Sequence, residues 1–174
     1  MHSASNTTFR IILLVAVTVL AVSATEHETP LRQVPDFLPP DVEWMLVEGK
    51  FELFSLDPTL LSDKQRRRLG PKLFQRYRVL GRVEVPKGRE RDELLQALHE
   101  SIANSPLEYT YCFDPRHAIR TSVGAQMAEL VICFECHRIE VYSPGHSQTS
   151  INATAQPSLD AVLKRAGVPL GKRP

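Results

Sequence analysis

One stretch of this sequence, residues 107–143, contains most of the side chains that could carry chemistry. They are Cys112, His117, Cys133, Cys136 and His137. Thiolates and imidazoles are ligands that zinc prefers, and two cysteines spaced Cys-X-X-Cys can hold one ion. The same pair can cycle between dithiol and disulfide, and a neighbouring imidazolium lowers the pKa of a thiol. This stretch is therefore where we look for a functional site.

The cysteine and histidine residues are open to three interpretations. The first is a metal site in which zinc is held by Cys112, Cys133 and Cys136 together with either His117 or His137. The second is a thiol enzyme or redox partner that uses Cys133 and Cys136. Oxidoreductases place their motif at a helix N-terminus beside a βαβ unit, whereas here it follows a strand. The third is a non-enzymatic domain in which the cysteines are buried or form one structural disulfide, and we favour it.

Arg116 and His117 form a second candidate site. A turn predicted at residues 114–116 would present both side chains at one end of a sheet. A small anion or a carboxylate could bind at such a cationic end. The alternative, which we prefer, is that Asp114 and Glu135 pair with these cations at the surface.

Alternating and β-branched residues predict four strands in this stretch, arranged as an up-and-down meander. They are residues 107–113, 117–123, 127–133 and 138–143. In one continuous strand the side chains of Cys133 and Cys136 would point to opposite faces, because side chains alternate. They converge only if the chain turns at Phe134-Glu135. We favour the turn, because residues 135–138 are polar.

The predicted meander gathers the candidate ligands at one end of the sheet. They are Cys112, His117, Cys133 and Cys136. Cys112 and Cys136 would be three strands, or roughly 15 Å, apart in a flat sheet. One zinc ion needs its sulfurs about 2.3 Å away, so only strong curling or another strand order would bring all four ligands together.

The other segments predict a single α+β domain over residues 41–174. Its sheet is antiparallel and is packed by helices at residues 89–104 and 158–167, the second ending at Gly167. Further elements are a helix at residues 41–47 with Asp41 as its N-cap, a helix beginning at Ser62, strands at residues 50–56 and 77–85, and a polar loop at residues 144–156. Gly81 marks a bulge or a close approach in its strand.

The first 24 residues are typical of a secretory signal peptide. Arg10 precedes an apolar run, and the small residues Val22 and Ala24 fit a cleavage site after Ala24. The apolar run is shorter than the roughly 20 residues of a spanning helix, although an uncleaved anchor stays the alternative. Residues 25–40 are proline-rich and predict an extended linker. We therefore expect a periplasmic or extracellular protein with no membrane contact after cleavage.

Charge and cysteine number limit the classes of partner and of covalent chemistry. The chain has 21 Lys and Arg and 20 Asp and Glu residues. Cleavage of the signal removes Arg10 and no acid, so the remaining charges balance, whereas a nucleic-acid-binding protein would have a basic surplus. Export leads to an oxidising compartment. Three cysteines allow at most one internal disulfide.

Two segments, CFDPRHAIR and LVICFEC, resemble a group of uncharacterised bacterial exported proteins. These proteins carry Cys-Phe-X-Pro-Arg-His and Ile-Cys-Phe-X-Cys at similar spacing. The resemblance implies a bacterial envelope or secreted protein and implies no particular activity. The positions it singles out are Cys112, Pro115, Arg116, His117, Cys133 and Cys136. Members of the group can have glycine at the position of His137, which argues against His137 as an essential ligand.

Overall fold

The computed structural model describes residues 37–106, 110 and 112–172. Within those residues the α-helices are α1 (Pro40–Glu48), α2 (Asp63–Leu69), α3 (Arg89–Ala103) and α4 (Gln156–Arg165). The strands are β1 (Lys50–Asp57), β2 (Leu73–Phe74), β3 (Tyr77–Glu84), β4 (His117–Val123), β5 (Gln126–Cys133), β6 (Arg138–Ser143) and β7 (Gly145–Ser150). The predicted α+β class with an antiparallel sheet is confirmed.

The predicted signal peptide and most of the predicted linker lie outside the described residues. Export and cleavage therefore stay predictions. Across the ranges that the structure covers, none of the helices combines the length and the apolar character needed to cross a bilayer.

The seven strands of the described part form one curled antiparallel sheet. Their order is β2-β3-β1-β4-β5-β6-β7, so β4 to β7 make a continuous meander. Because side chains alternate along each strand, every strand of this sheet contributes to two faces. On one face Leu53, Ile119 and Leu130 align across β1, β4 and β5 and belong to the main core. Helices α1, α3 and α4 also contribute buried residues to that core, so α1 joins the two helices predicted to cover the sheet.

The opposite face of the sheet has a smaller apolar cluster. Its buried members are Phe54, Leu56, Phe74, Tyr77, Ala118 and Val131. Burial on both faces explains why six consecutive residues of β1 are buried. The resulting sheet has two different surfaces, and its ends, where strands begin and turn, carry the predicted site residues.

The predicted turn at Phe134-Glu135 is confirmed. Cys133 pairs with Arg138 across β5 and β6, and the four residues between them form the turn. β4 and β6 occupy the predicted ranges, and α3 buries the predicted stripe. Gly81 is a close-approach point, since a Cβ atom there would lie 2.7 Å from Cγ1 of Val168.

The prediction of a strand at residues 107–113 is wrong where the structure describes it. Thr110, Cys112 and Phe113 are not in a strand, and the remaining four residues lie outside the described part. Phe113, the last residue of the predicted strand, packs instead against the cluster on the opposite face. The meander keeps four strands, but it begins one strand later than predicted.

The predicted polar loop at residues 144–156 is also wrong, because it contains β7. This edge strand places Thr149 opposite Ile139 and Ser147 opposite Val141, so polar residues occupy the positions that face the core side. Polar edge strands avoid pairing with other chains, and they lack the alternation that sequence patterns detect.

The predicted N-cap of the first helix, Asp41, is wrong by two residues. Pro39 is the N-cap residue of α1, and Asp41 lies in the first turn of that helix.

Candidate functional site

The candidate site lies at the end of the sheet where β4 begins and where β5 turns into β6. We call this the disulfide end, and the other end, where β4 turns into β5, the glycine end. The β5–β6 turn contains no glycine, and His137 adopts a left-handed conformation with a φ of 53°. The backbone N–H of His137 donates to the carbonyl of Phe134 at 3.3 Å, which closes the turn.

Cys133 and Cys136 form a disulfide across this turn, with their Cα atoms 5.2 Å apart. Both residues are fully buried. Sγ of Cys136 also accepts a hydrogen bond from the backbone N–H of Asp114 at 3.4 Å. The disulfide therefore fixes the turn and also holds the segment that leads into β4.

Cys112 lies at the surface beside this disulfide. It is the free cysteine of the three, and it is exposed. Its Sγ lies 3.3 Å from Oγ1 of Thr110, whose backbone N–H donates to the carbonyl of Cys136 at 3.4 Å. The predicted separation of three strands between Cys112 and Cys136 is wrong, because residues 112–116 cross the end of the sheet instead of adding a strand to it.

The imidazole of His117 makes contacts with α4 and with the ring of Phe134 in the β5–β6 turn. Its Nε2 is 2.7 Å from Oδ1 of Asp160, and the histidine is only 3 % exposed. The hydrogen bond from His117 is the main cause that lowers the pKa of Asp160, and the charges of Lys164 and Arg116 act in the same direction. Asp160 is thus a carboxylate at neutral pH, so Nε2 of His117 carries the shared proton. This pair links β4 to α4.

Sequence reasoning missed Asp160, although it identified the helix that carries it. Asp160 directly follows Leu159, one of the buried residues of α4. An acid beside the buried stripe of an amphipathic helix is a usable signal, because a buried carboxylate needs a partner. The partner itself could not be deduced, since it comes from a strand 43 residues earlier in the chain.

Arg116 forms an ion pair with Glu135 on the β5–β6 turn. The sequence predicts that Asp114 and Glu135 pair with the cations at this end of the sheet, and Glu135 is one of those two carboxylates. With His117 bonded to Asp160, both residues of the predicted anion site hold carboxylates of the protein itself. Binding of an external anion at Arg116 and His117 stays a prediction, and it would require one of these contacts to open.

The four predicted metal ligands do not converge on one point. The two thiols of Cys133 and Cys136 are consumed in a disulfide, His117 faces Asp160, and Cys112 is at the surface. In the part of the chain that the structure describes, no group of three or more His, Cys, Asp or Glu side chains is placed to hold an ion. A zinc site stays a prediction for a reduced state of the protein.

A surface hollow of about 340 Å³ lies beside Asp160. Its lining consists of Ala153, Gln156, Pro157, Asp160, Ala161 and Lys164. The side chain of Asp160 is 20 % exposed, whereas that of His117 behind it is 3 % exposed. A molecule in this hollow could contact the carboxylate and the ammonium of Lys164 but could not reach the imidazole. The His117–Asp160 pair therefore joins β4 to α4, with only its carboxylate side open to the hollow.

The opposite face of the sheet carries a second polar network that sequence reasoning missed. Arg120 donates to Oε1 of Glu129 through Nε at 2.8 Å, and its guanidinium lies over the rings of Phe54 and Phe74. The two residues are direct partners between β4 and β5. The predicted strand limits, residues 117–123 and 127–133, would have placed Arg120 opposite Leu130, whereas the observed two-residue turn places it opposite Glu129.

No family model, curated protein or solved structure matches this chain. The resemblance to bacterial exported proteins therefore stays a prediction that depends on the two cysteine segments.

Proposed function

We propose that this protein is an exported domain without catalytic activity, in which the Cys133–Cys136 disulfide is a structural link. The observation that carries this proposal is the position of the disulfide. Both cysteines are fully buried, and they bridge the turn between two strands. A covalent link there fixes the register of β5 and β6, which lie in the middle of the meander.

The environment of the disulfide argues for a structural role over a redox role. Reactive cysteines lie in partly exposed, electropositive surroundings, often at a helix N-terminus, where their pKa is lowered. Here the motif is followed by β6 and is closed off from solvent. An external thiol or disulfide would have no direct access to either sulfur.

The other candidate side chains are also engaged within the protein. His117 is bonded to Asp160, and Arg116 is paired with Glu135. A catalytic base or an anion clamp needs a free position facing a substrate. These contacts support a domain that uses its polar side chains to hold segments together.

The sequence supports export of this domain. The apolar run and the small residues before Thr25 fit a cleaved signal. A disulfide persists in the periplasm or outside the cell, whereas cytosolic thiols are kept reduced. The expected location and the expected covalent state therefore agree.

The proposal is tested by counting thiols in protein purified from the periplasm. We expect one reactive thiol in denaturant before reduction, Cys112, three after reduction, and no stoichiometric zinc. The variant Cys133→Ala/Cys136→Ala should keep its fold and lose about 2 kcal/mol of unfolding free energy, the value for closing a four-residue loop. Cys112→Ala is the matched control and should not lose this stability.

Two results would contradict the structural role. Three thiols together with one bound zinc would indicate a metal site. A disulfide that is reduced and reformed by small thiols, without any change in unfolding free energy, would favour the redox alternative.

A further inference from the structure

We propose that Cys112 is the nucleophile of an internal thiol–disulfide exchange that attacks Cys136 and releases Cys133. The protein would then have two covalent states, one with the Cys133–Cys136 bond and one with a Cys112–Cys136 bond. This goes beyond the proposed function, which requires only the first state.

The chain on both sides of Cys112 is attached to Cys136. Two residues before it, the N–H of Thr110 donates to the carbonyl of Cys136 at 3.4 Å. Two residues after it, the N–H of Asp114 donates to Sγ of Cys136 at the same distance. Two residues of chain span at most about 7 Å. Cys112 is therefore confined near Cys136, and disulfides join Cα atoms up to about 6.8 Å apart.

The same contacts select Cys136 as the sulfur that is attacked. Both hydrogen bonds from the Cys112 segment go to atoms of Cys136, in the turn. Cys133 is the last residue of β5 and is paired with Arg138 inside the sheet. The Cys112 segment is thus held against the turn residue Cys136, whereas Cys133 lies within the sheet.

The exchange is balanced without an external oxidant. Exposed Cys112 loses its proton to solvent, and its thiolate attacks Sγ of Cys136. The bond between Sγ of Cys136 and Sγ of Cys133 breaks as the new bond forms. Cys133 leaves as a thiolate and takes up a proton, so one disulfide and one thiol are present before and after the step.

Burial makes Cys112 the favoured attacking group. The fully buried disulfide excludes solution thiols, while Cys112 is held beside it by the chain and so acts at a high effective concentration. The exchanged state would tie the segment before β4 to the β5–β6 turn and would release the link between the ends of β5 and β6. The exchange would thus switch the disulfide end of the sheet between two covalent links, Cys133–Cys136 and Cys112–Cys136.

The test compares Cys133→Ser with Cys136→Ser in the full chain. Both variants are folded under reducing conditions, checked by near-UV circular dichroism, and then oxidised with oxidised glutathione. We expect Cys133→Ser to form a Cys112–Cys136 bond at least tenfold faster than Cys136→Ser forms a Cys112–Cys133 bond, as measured by peptide mapping. Equal rates, or no bond in folded Cys133→Ser, would overturn the proposal.

The wild-type protein gives a second readout that needs no substitution. The protein is incubated at pH 8.5, quenched in acid, denatured, and labelled with N-ethylmaleimide. We expect label on Cys133 to appear at a rate that rises with pH, because the attacking group is the thiolate, together with a matching fraction of molecules with a Cys112–Cys136 bond. Label confined to Cys112 at every pH would overturn the exchange while leaving the structural disulfide intact. Label on all three cysteines would instead contradict the proposed function.

Discussion

The two ends of the sheet reverse the chain by different means. At the glycine end, β4 and β5 are joined by the two residues Gly124-Ala125, and Gly124 has a φ of 58°. A positive φ at the first position of a two-residue loop is what type II′ hairpins require, and glycine adopts it without strain. At the disulfide end, His137 occupies the left-handed region instead. Local preference is sufficient for the first turn, whereas the second depends on contacts from distant parts of the chain.

This difference explains where the chemistry-bearing residues are found. The disulfide end is held by the Cys133–Cys136 bond, by the hydrogen bond from Asp114, and by the His117–Asp160 pair. Each of these contacts uses a side chain that could otherwise bind a ligand or react. Such contacts can also open or exchange, which a glycine turn cannot do. The comparison leads to four predictions about stability.

The largest effect is expected for Asp160→Ala at the disulfide end. It leaves buried His117 without its partner, so we expect a loss of about 2 kcal/mol in unfolding free energy, measured by urea denaturation. Asp160→Asn is the matched control, because its amide oxygen can still accept from Nε2, and it should lose less. Equal losses in the two variants would show that the hydrogen bond is not what stabilises this end.

The same pair predicts a pH dependence. The hydrogen bond from His117 lowers the pKa of Asp160 below its ordinary value of 3.8. The stability contributed by the pair is therefore complete above that value and is lost as the pH falls through the lower pKa of the folded state. Unfolding free energy below pH 4 should fall more steeply in the wild-type protein than in Asp160→Asn. Parallel curves would contradict this assignment.

A smaller loss is expected for Gly124→Ala at the glycine end. A Cβ atom at this position would meet no heavy atom within 4 Å, so the effect comes from the backbone alone. An L-residue in the left-handed region costs about 1 to 2 kcal/mol. Gly124→Asn should lose less, because asparagine tolerates this conformation. A neutral Gly124→Ala, in thermal or urea unfolding, would mean that the turn is not set locally.

The smallest effect, with the opposite sign, is expected for His137→Gly. Glycine removes the strain of the left-handed conformation, but it also gives the unfolded chain more backbone freedom. The net result is a gain of about 0.5 kcal/mol in unfolding free energy. His137→Ala is the control and should show no gain, since alanine shares the strain. Destabilisation by His137→Gly would indicate that the imidazole itself holds the turn.

Sequence patterns predicted the elements that depend on apolar periodicity. β4, β6, α3 and the β5–β6 turn follow from alternation, helical spacing and a polar run. β7 escaped prediction because its core-side positions are polar. Phe113 was assigned to a strand because it ends an alternating run, whereas its side chain packs against the cluster on the opposite face.

The candidate site was only partly predictable from the sequence. The convergence of Cys133 and Cys136 follows from strand parity and a turn, both of which are local. The partner of His117 does not follow, because Asp160 reaches it only after α4 packs against the sheet. The position of Cys112 beside Cys136 likewise depends on a crossing that no pattern in residues 107–116 indicates. Contacts between distant segments thus account for most of what the sequence left open.

The most direct test of the difference between the two ends is amide hydrogen exchange of the folded protein before and after reduction of the disulfide. We predict that reduction speeds exchange at Asp114, which donates to Sγ of Cys136, and at His137 in the turn. The exchange rates of the backbone amides of Val123 and Gln126, which are paired at the glycine end, should change far less on reduction. Equal acceleration at both ends, or none at Asp114 and His137, would contradict the claim that the disulfide holds its own end of the sheet.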